Sequence, residues 1–135
     1  MDLYKNQQPD PTQIPRYCGI STFARLNLLD DKTNCDIAVV GIPFDSGVTF
    51  RPGARFGPES IRANSRLLRN YSINHLKSPF NDKIIYDAGD LATNLFNICQ
   101  SVDKISNELD KLFSRCNNII VLGGDHTISY PVLRS

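Results

Sequence analysis

The chain has 135 residues, of which 41% are hydrophobic, and a net charge of +1 from 15 basic and 14 acidic side chains. This length and composition predict one domain with an ordinary core, and the balanced charge gives no reason to expect nucleic acid or an anionic membrane as a partner. The polar N-terminus lacks the apolar stretch of a signal peptide, and no apolar run approaches the length of a membrane span. We therefore expect a cytoplasmic protein.

The four cysteines contain no C-x-x-C pair. This spacing predicts reduced, partly buried thiols rather than a disulfide framework or a zinc site.

Residues 1–17 are predicted to form an N-terminal arm, and residues 18–135 the body of the domain. The arm contains three prolines and several polar residues, which interrupt regular structure. Phe23 and Leu26 are the apolar residues placed to anchor it, either on the body or on a neighbouring subunit. A short surface helix is the alternative for this segment.

Residues 36–42 are the clearest strand, apolar on both faces, as expected for a strand covered by helices on both sides. Pro43 ends it, and a long loop follows over residues 44–57. Loops of this length in compact domains usually carry function. Arg51 and Arg55 within the loop are candidates for binding an anion, although exposed arginines are more often solvated or paired.

A helix is predicted from Gly57 to about Leu68 or Arg69, because a proline follows Gly57 at a position that suits the first turn. Ile61 and Leu68 lie seven residues apart and are predicted to form its inner face, with Leu67 beside them.

The next segment, residues 70–83, is predicted to be a connection in which His75 is an exposed loop histidine. A second strand follows over residues 83–90 and ends in two acidic residues, Asp87 and Asp90. Two carboxylates at a strand end are candidate metal ligands. The interpretation we favour is structural, in which they fix the turn and its glycine.

Residues 97–116 carry apolar side chains at alternating spacings of four and three, which predicts an amphipathic helix of about five turns. These apolar positions are Ile98, Val102, Ile105, Leu109, Leu112 and Cys116.

The stretch over residues 118–127 predicts a buried central strand that ends at two glycines and is followed by Asp125 and His126. In open α/β sheets, ligands bind at the C-terminal edge of the strands. His126 is therefore a candidate metal ligand, and Asp125 a residue that orients its imidazole from behind. The alternative is that the pair caps the helix predicted from Thr127, and one histidine is not by itself a metal site.

Strands and helices alternate three times, which predicts an α/β fold with a parallel sheet and right-handed crossovers. The sequence has no P-loop and no Rossmann glycine motif, which argues against a small nucleotide-binding module.

Four segments, taken together and in this order, resemble the ureohydrolase family, which includes arginase and agmatinase. The resemblance covers residues from about 17 to 135, and the loop after the first strand is closer to agmatinase than to arginase. The matching segments are Gly41-Ile42-Pro43-Phe44-Asp45-Ser46-Gly47, Arg51-Pro52-Gly53-Ala54-Arg55-Phe56-Gly57-Pro58, Asp87-Ala88-Gly89-Asp90 and Leu122-Gly123-Gly124-Asp125-His126.

The resemblance implies a three-layer α/β/α fold and a homo-oligomer that hydrolyses agmatine to putrescine and urea at a centre of two Mn²⁺ ions. His126 matches the family's first metal ligand, and Asp125 is its neighbour in the motif. The family's two later metal motifs have no counterpart in this sequence. We therefore expect the N-terminal portion of an agmatinase-like enzyme that is inactive alone. The alternatives are a non-catalytic fragment, a guanidinobutyrase or another amidinohydrolase of the family.

Overall fold

A computed structural model describes residues 8–135. Three parallel strands form one sheet in the order β2-β1-β3, and four helices follow or separate them. The strands are β1 (Cys35–Ile42), β2 (Ile85–Asp90) and β3 (Cys116–Gly123), and the helices are α1 (Gly57–Ser65), α2 (Pro79–Asp82), α3 (Ile98–Phe113) and α4 (Ser129–Arg134). The predicted α/β fold with a parallel sheet is confirmed.

The sheet is covered on both faces, because alternate residues of β1 point to opposite sides. Val40 and Ile42 join one cluster with the inner face of α3, at Ile105 and Leu109. Val39 belongs to a second cluster on the other face, together with Ala24, Leu26, Ile85 and Leu122. β1 is therefore buried on both sides, as its sequence predicts.

The prediction that β3 is a buried central strand is wrong for residues 8–135. Within that range β1 is the central strand, and β3 forms one edge of the sheet. Asn117 and Asn118 are exposed, and Ile120 is 47% exposed. The apolar sequence of β3 is typical of a strand with neighbouring strands on both sides. An edge strand of this kind leaves backbone groups and apolar area uncovered.

Helix α1 ends at Ser65, earlier than predicted, and its inner face differs from the prediction. Ile61 is 41% and Leu68 is 47% exposed, whereas Arg62 is 6% exposed. The reason is that Arg62 reaches two carboxylates at the end of β2. A buried ion pair thus sets the orientation of the helix, which hydrophobic spacing alone does not reveal.

Helix α3 forms as predicted but ends at Phe113, so Cys116 is the first residue of β3 rather than part of the helix, and Ile98 at its start is exposed. Asn97 caps its N-terminus by accepting a hydrogen bond from the Gln100 amide, and Ile105, Leu109 and Leu112 are buried. An asparagine at this position satisfies an amide that the first helical turn leaves free.

The segment predicted as a connection, residues 70–83, contains the short helix α2 but is otherwise irregular, and His75 is exposed as expected. All four cysteines are free thiols, as predicted. Cys35 and Cys116 face each other in register on β1 and β3. Burial, together with the neighbouring Cys116 thiol, raises the pKa of Cys35 to about 12.

The arm is described from residue 8 onward, and the first seven residues of the predicted arm lie outside the described residues. Phe23 and Leu26 pack on the body of the domain, beside Val39 and Ile85. The turn around them is a short 3-10 helix, Phe23–Arg25. Within residues 8–135, no helix is long and apolar enough to cross a bilayer.

Candidate functional site

The C-terminal ends of β1 and β3 lie side by side, with Ile42 in register with Gly123. The loop after β1 and the turn after β3 are joined there by two hydrogen bonds. The Asp125 amide donates to the Phe44 carbonyl at 2.7 Å, and the Gly47 amide donates to the Asp125 carboxylate at 2.8 Å. The long loop and the Asp-His turn therefore form one structure at this edge.

Glycine is required at position 124 by both conformation and space. Gly124 has a φ of +64°, a region that other residues rarely adopt. A Cβ atom there would lie 2.6 Å from the Ile42 carbonyl oxygen and 2.7 Å from that of Phe44. The turn can therefore approach the end of β1 only because position 124 has no side chain.

Asp125 uses both carboxylate oxygens on backbone amides. One oxygen accepts from the Thr127 amide at 2.8 Å and caps the following 3-10 helix, His126–Ile128. The other accepts from the Gly47 amide. The capping alternative considered for the pair is thus correct for Asp125, and its role behind a metal-bound histidine stays a prediction.

His126 is exposed at the rim of a cleft of about 430 Å³. Residues 47–51 form one wall of the cleft, and residues 125–127 form the other. The Nδ1 atom of His126 lies 3.2 Å from the Ser129 hydroxyl, which is its one hydrogen-bond partner within residues 8–135. The imidazole is therefore tied to the fold through one ring nitrogen and is otherwise exposed in the lining of the cleft.

The long loop is held by a buried carboxylate, Asp45. It accepts from the Arg55 guanidinium at 2.7 Å and from the Gly53 amide at 2.8 Å. The hydrogen bond from the Arg55 side chain is the largest cause that lowers the pKa of Asp45 to about 2. Arg55 is thus paired within the loop rather than available to an external anion, as one of its two alternatives anticipated.

Arg51 behaves differently, since it is exposed and lines the cleft beside His126. Its guanidinium lies 4.9 Å from the centre of the Phe50 ring, a cation–π contact.

Asp87 and Asp90 have the structural role that we favoured. The Arg62 guanidinium donates to both oxygens of Asp87, at 2.8 Å and 2.9 Å, and also to Asp90. Asp87 is fully buried and accepts from the Phe23 amide as well. These carboxylates are therefore occupied by the protein itself.

The described residues do not by themselves fit a metal centre. Within residues 8–135, no three His, Cys, Asp or Glu side chains are placed to hold one ion. His126 is a single donor, and divalent ions in proteins need several. Any centre at this edge requires donors from beyond these residues.

Sequence reasoning missed the residues that support the turn from behind. A Cβ atom at Gly57 would lie 2.4 Å from the Gly123 carbonyl oxygen, so the start of α1 packs directly on the turn. A Cβ atom at Gly47 would lie 2.0 Å from the Thr127 hydroxyl. These glycines were visible within the motifs, but which backbone each approaches depends on the tertiary structure.

Comparisons with known proteins agree with this arrangement. The model of the arginase family matches residues 35–135. The chain is 36% identical over 130 residues to the mitochondrial agmatinase of Gallus gallus, covering 96% of this chain and 38% of that protein. It is 38% identical over 138 residues to the guanidinobutyrase of Pseudomonas aeruginosa, covering all of this chain and 43% of that protein.

The solved structure of proclavaminate amidino hydrolase from Streptomyces clavuligerus superposes with a TM-score of 0.85 at 35% identity. The match covers 89% of this chain and 41% of that one. The chain thus spans about two fifths of the length of these relatives. The family model and the relatives agree with the motifs at the sheet edge: the chain belongs to the arginase family.

Proposed function

We propose that this chain forms the first part of the active site of an agmatinase-type hydrolase, an enzyme that cleaves agmatine into putrescine and urea. In this proposal His126 is a ligand of one of two Mn²⁺ ions, and Asp125 positions it. The observation that carries the proposal is the exposed imidazole of His126, held at the C-terminal sheet edge on the rim of a cleft.

The hydrogen bonding of the turn supports a ligand role. Both oxygens of the Asp125 carboxylate accept hydrogen bonds from backbone amides, so the turn is fixed without using the imidazole. A ligand that is rigid before the ion arrives loses little conformational freedom on binding. The proposal assigns no catalytic role to another residue of this chain, since the remaining metal donors are not among residues 8–135.

The test is a chimaera in which this chain replaces the matching part of the Pseudomonas aeruginosa guanidinobutyrase, whose length it covers to 43%. The H126A variant should lose one bound manganese and more than about 100-fold of urea release, because a missing ligand unbalances the whole centre. Metal content and urea production are measured together.

The matched control is H75A, since His75 is the other histidine of the chain and lies exposed in a loop. It should retain both manganese ions and full activity. Normal metal content in H126A would remove the ligand assignment, whereas equal losses in both variants would indicate a folding defect.

A consequence for the chain alone follows from its donor set. The 135 residues, purified with excess Mn²⁺, should release no urea from agmatine above a metal-free control. Metal-dependent turnover that persists through further purification would mean that donors exist which the described residues do not contain.

Agmatine is proposed because the loop after β1 resembles the agmatinase branch. The alternative is a guanidino acid, favoured by the 38% identity to a guanidinobutyrase. Turnover of agmatine against 4-guanidinobutyrate separates them in the complete protein. We also propose that the protein assembles into a homo-oligomer and is located in the cytoplasm. The alternative to the whole proposal is that the chain is a non-catalytic fragment.

A further inference from the structure

We propose that the chain has a second ligand site, an oxyanion site beneath the N-terminal arm that binds a dianion of the phosphate class. It lies in a cavity of about 600 Å³, here called the arm cavity, whose walls include Arg16, Arg25 and Arg69. It shares no residue with the cleft beside His126.

The first argument is a buried guanidinium that has no carboxylate partner among residues 8–135. Arg25 is 8% exposed, so its charge is largely removed from water. Its hydrogen bonds go to the carbonyl oxygens of Pro9, at 3.1 Å, and Ile14, at 2.6 Å. Within residues 8–135 it forms no ion pair. Two carbonyls satisfy donors but do not neutralise the charge, and a buried unpaired charge is costly.

The second argument is the charge of the walls. Arg16 and Arg69 face the same cavity, and neither forms a hydrogen bond or ion pair with another described residue. Asp10 is the one acidic side chain among the described lining residues, and one of its oxygens is engaged by Thr12. Within residues 8–135, three guanidinium groups and one carboxylate give the lining a net charge of +2, which a dianion would neutralise.

The third argument is the chemistry of the donors. Arginine presents planar, paired N–H groups that match the oxygens of phosphate, and several arginines around one pocket suit an anion with several oxygens. Asn70 and Tyr71 also line the cavity and offer neutral donors. Arg69 is exposed and Arg16 is half-buried, and such arginines alone would be ordinary solvated side chains. The buried Arg25 in the same lining is what makes this a site.

Such a ligand would also stabilise the arm. The same Arg25 that faces the cavity holds the arm through Pro9 and Ile14. An anion that neutralises Arg25 therefore strengthens the attachment of residues 9–14 to the body. Because an anion bound to the folded state alone stabilises that state, the melting temperature should rise with ligand concentration.

The experiment titrates the full chain with inorganic phosphate by calorimetry and by thermal melting at constant ionic strength. We expect saturable binding of one phosphate per chain. Variants R16Q and R69Q should each weaken Kd by about tenfold, the effect of one charge-assisted hydrogen bond, and the double variant should abolish binding. Circular dichroism checks that each variant is folded, which is expected because neither side chain holds another described residue.

R51Q is the matched control, since Arg51 is exposed like Arg69 but lines the other cleft. It should bind phosphate like the unchanged chain. Two further titrations define the ligand. Acetate, a monoanion, should bind more weakly than phosphate. Glycerol phosphate should compete with phosphate if the natural ligand is a phosphate monoester rather than the free ion. Non-saturable binding, or equal weakening by R51Q and R16Q, would reduce the site to diffuse attraction and overturn the proposal.

Discussion

Two segments at the same sheet edge carry similar residues but use them differently. The last residues of β2 include Asp87, Gly89 and Asp90, and the turn after β3 contains Asp125 and His126 beside two glycines. At β2 the carboxylates are matched by the Arg62 guanidinium. At β3 the carboxylate is matched by backbone amides, and the imidazole keeps an open side.

The difference shows that acidic residues after a strand do not by themselves indicate a ligand site. The element packed behind the acidic residues decides whether they can bind a ligand. Helix α1 supplies a buried cation to the end of β2 through Arg62. To the turn after β3 the same helix offers Gly57, which contributes close backbone packing and no charge. The carboxylates of β2 are therefore paired within the fold, whereas the turn after β3 keeps an exposed side chain that could bind a ligand.

The largest effect is expected from R62A. It would leave Asp87 charged, fully buried and without its counter-ion, which should lower the free energy of unfolding by about 3–5 kcal/mol. Urea denaturation measures this, with R66A as control, because the hydrogen bonds of Arg66 within residues 8–135 go to the carbonyls of Tyr17 and Gly19 at the surface. Equal, small effects of both variants would show that the end of β2 does not depend on its buried cation.

The second largest loss of stability is expected at glycines, and it should differ between Gly89 in β2 and Gly124 in the turn after β3. Both Gly89 and Gly124 have positive φ, but only Gly124 has backbone atoms where a Cβ would lie. G89A should therefore cost the conformational penalty alone, about 1–2 kcal/mol, whereas G124A adds steric conflict and should cost more. Thermal melts of the two variants give the comparison. A smaller loss for G124A would contradict the close approach of the turn to Ile42 and Phe44.

A third, smaller effect concerns pH. The pKa of Asp45 is lowered to about 2 by Arg55, below its value in an unfolded chain, about 3.9. The folded state therefore binds fewer protons, so the stabilisation from this pair is present above about pH 4 and is lost as the pH falls towards 2. D45N should lower the melting temperature at pH 6 and flatten its decline between pH 4 and pH 2. An unchanged decline would show that other carboxylates control acid unfolding.

The smallest effect on stability is expected from H126A. The side chain is exposed and its one hydrogen bond within the described residues goes to Ser129, so the free energy of unfolding should change by less than about 0.5 kcal/mol. A clear loss of stability would show that His126, like Asp87, belongs to the fold rather than to a ligand.

Much of the architecture was predictable from local pattern. The apolar run of β1, the four-and-three spacing of α3 and the glycines after β3 each encode their own geometry, because they depend on residues close in sequence. Parallel strands end at one edge of a sheet, which is why the loop after β1 and the Asp-His turn lie together. For the site chemistry, the sequence offers one candidate ligand, His126, whose metal role stays a prediction.

The inner face of α1 was not predictable in this way. Hydrophobic spacing pointed to Ile61 and Leu68, but the helix turns Arg62 inward because two carboxylates lie opposite it on β2. Arg62 and Asp87 are separated by 25 residues, and no periodicity links them. Long-range charge pairing outweighed the weak apolar stripe.

Local patterns along the chain are enough to identify the succession of strands and helices, the family motifs and the position of the candidate ligand. Which polar side chains are already in use becomes clear from the folded arrangement alone. The fold pairs Arg55 with Asp45, places Asp125 on the Gly47 amide and leaves Arg51 and His126 in the lining of a cleft. A strand or helix is specified by neighbours along the chain, whereas the partner of a charged group is set by residues that only folding brings within a few ångströms.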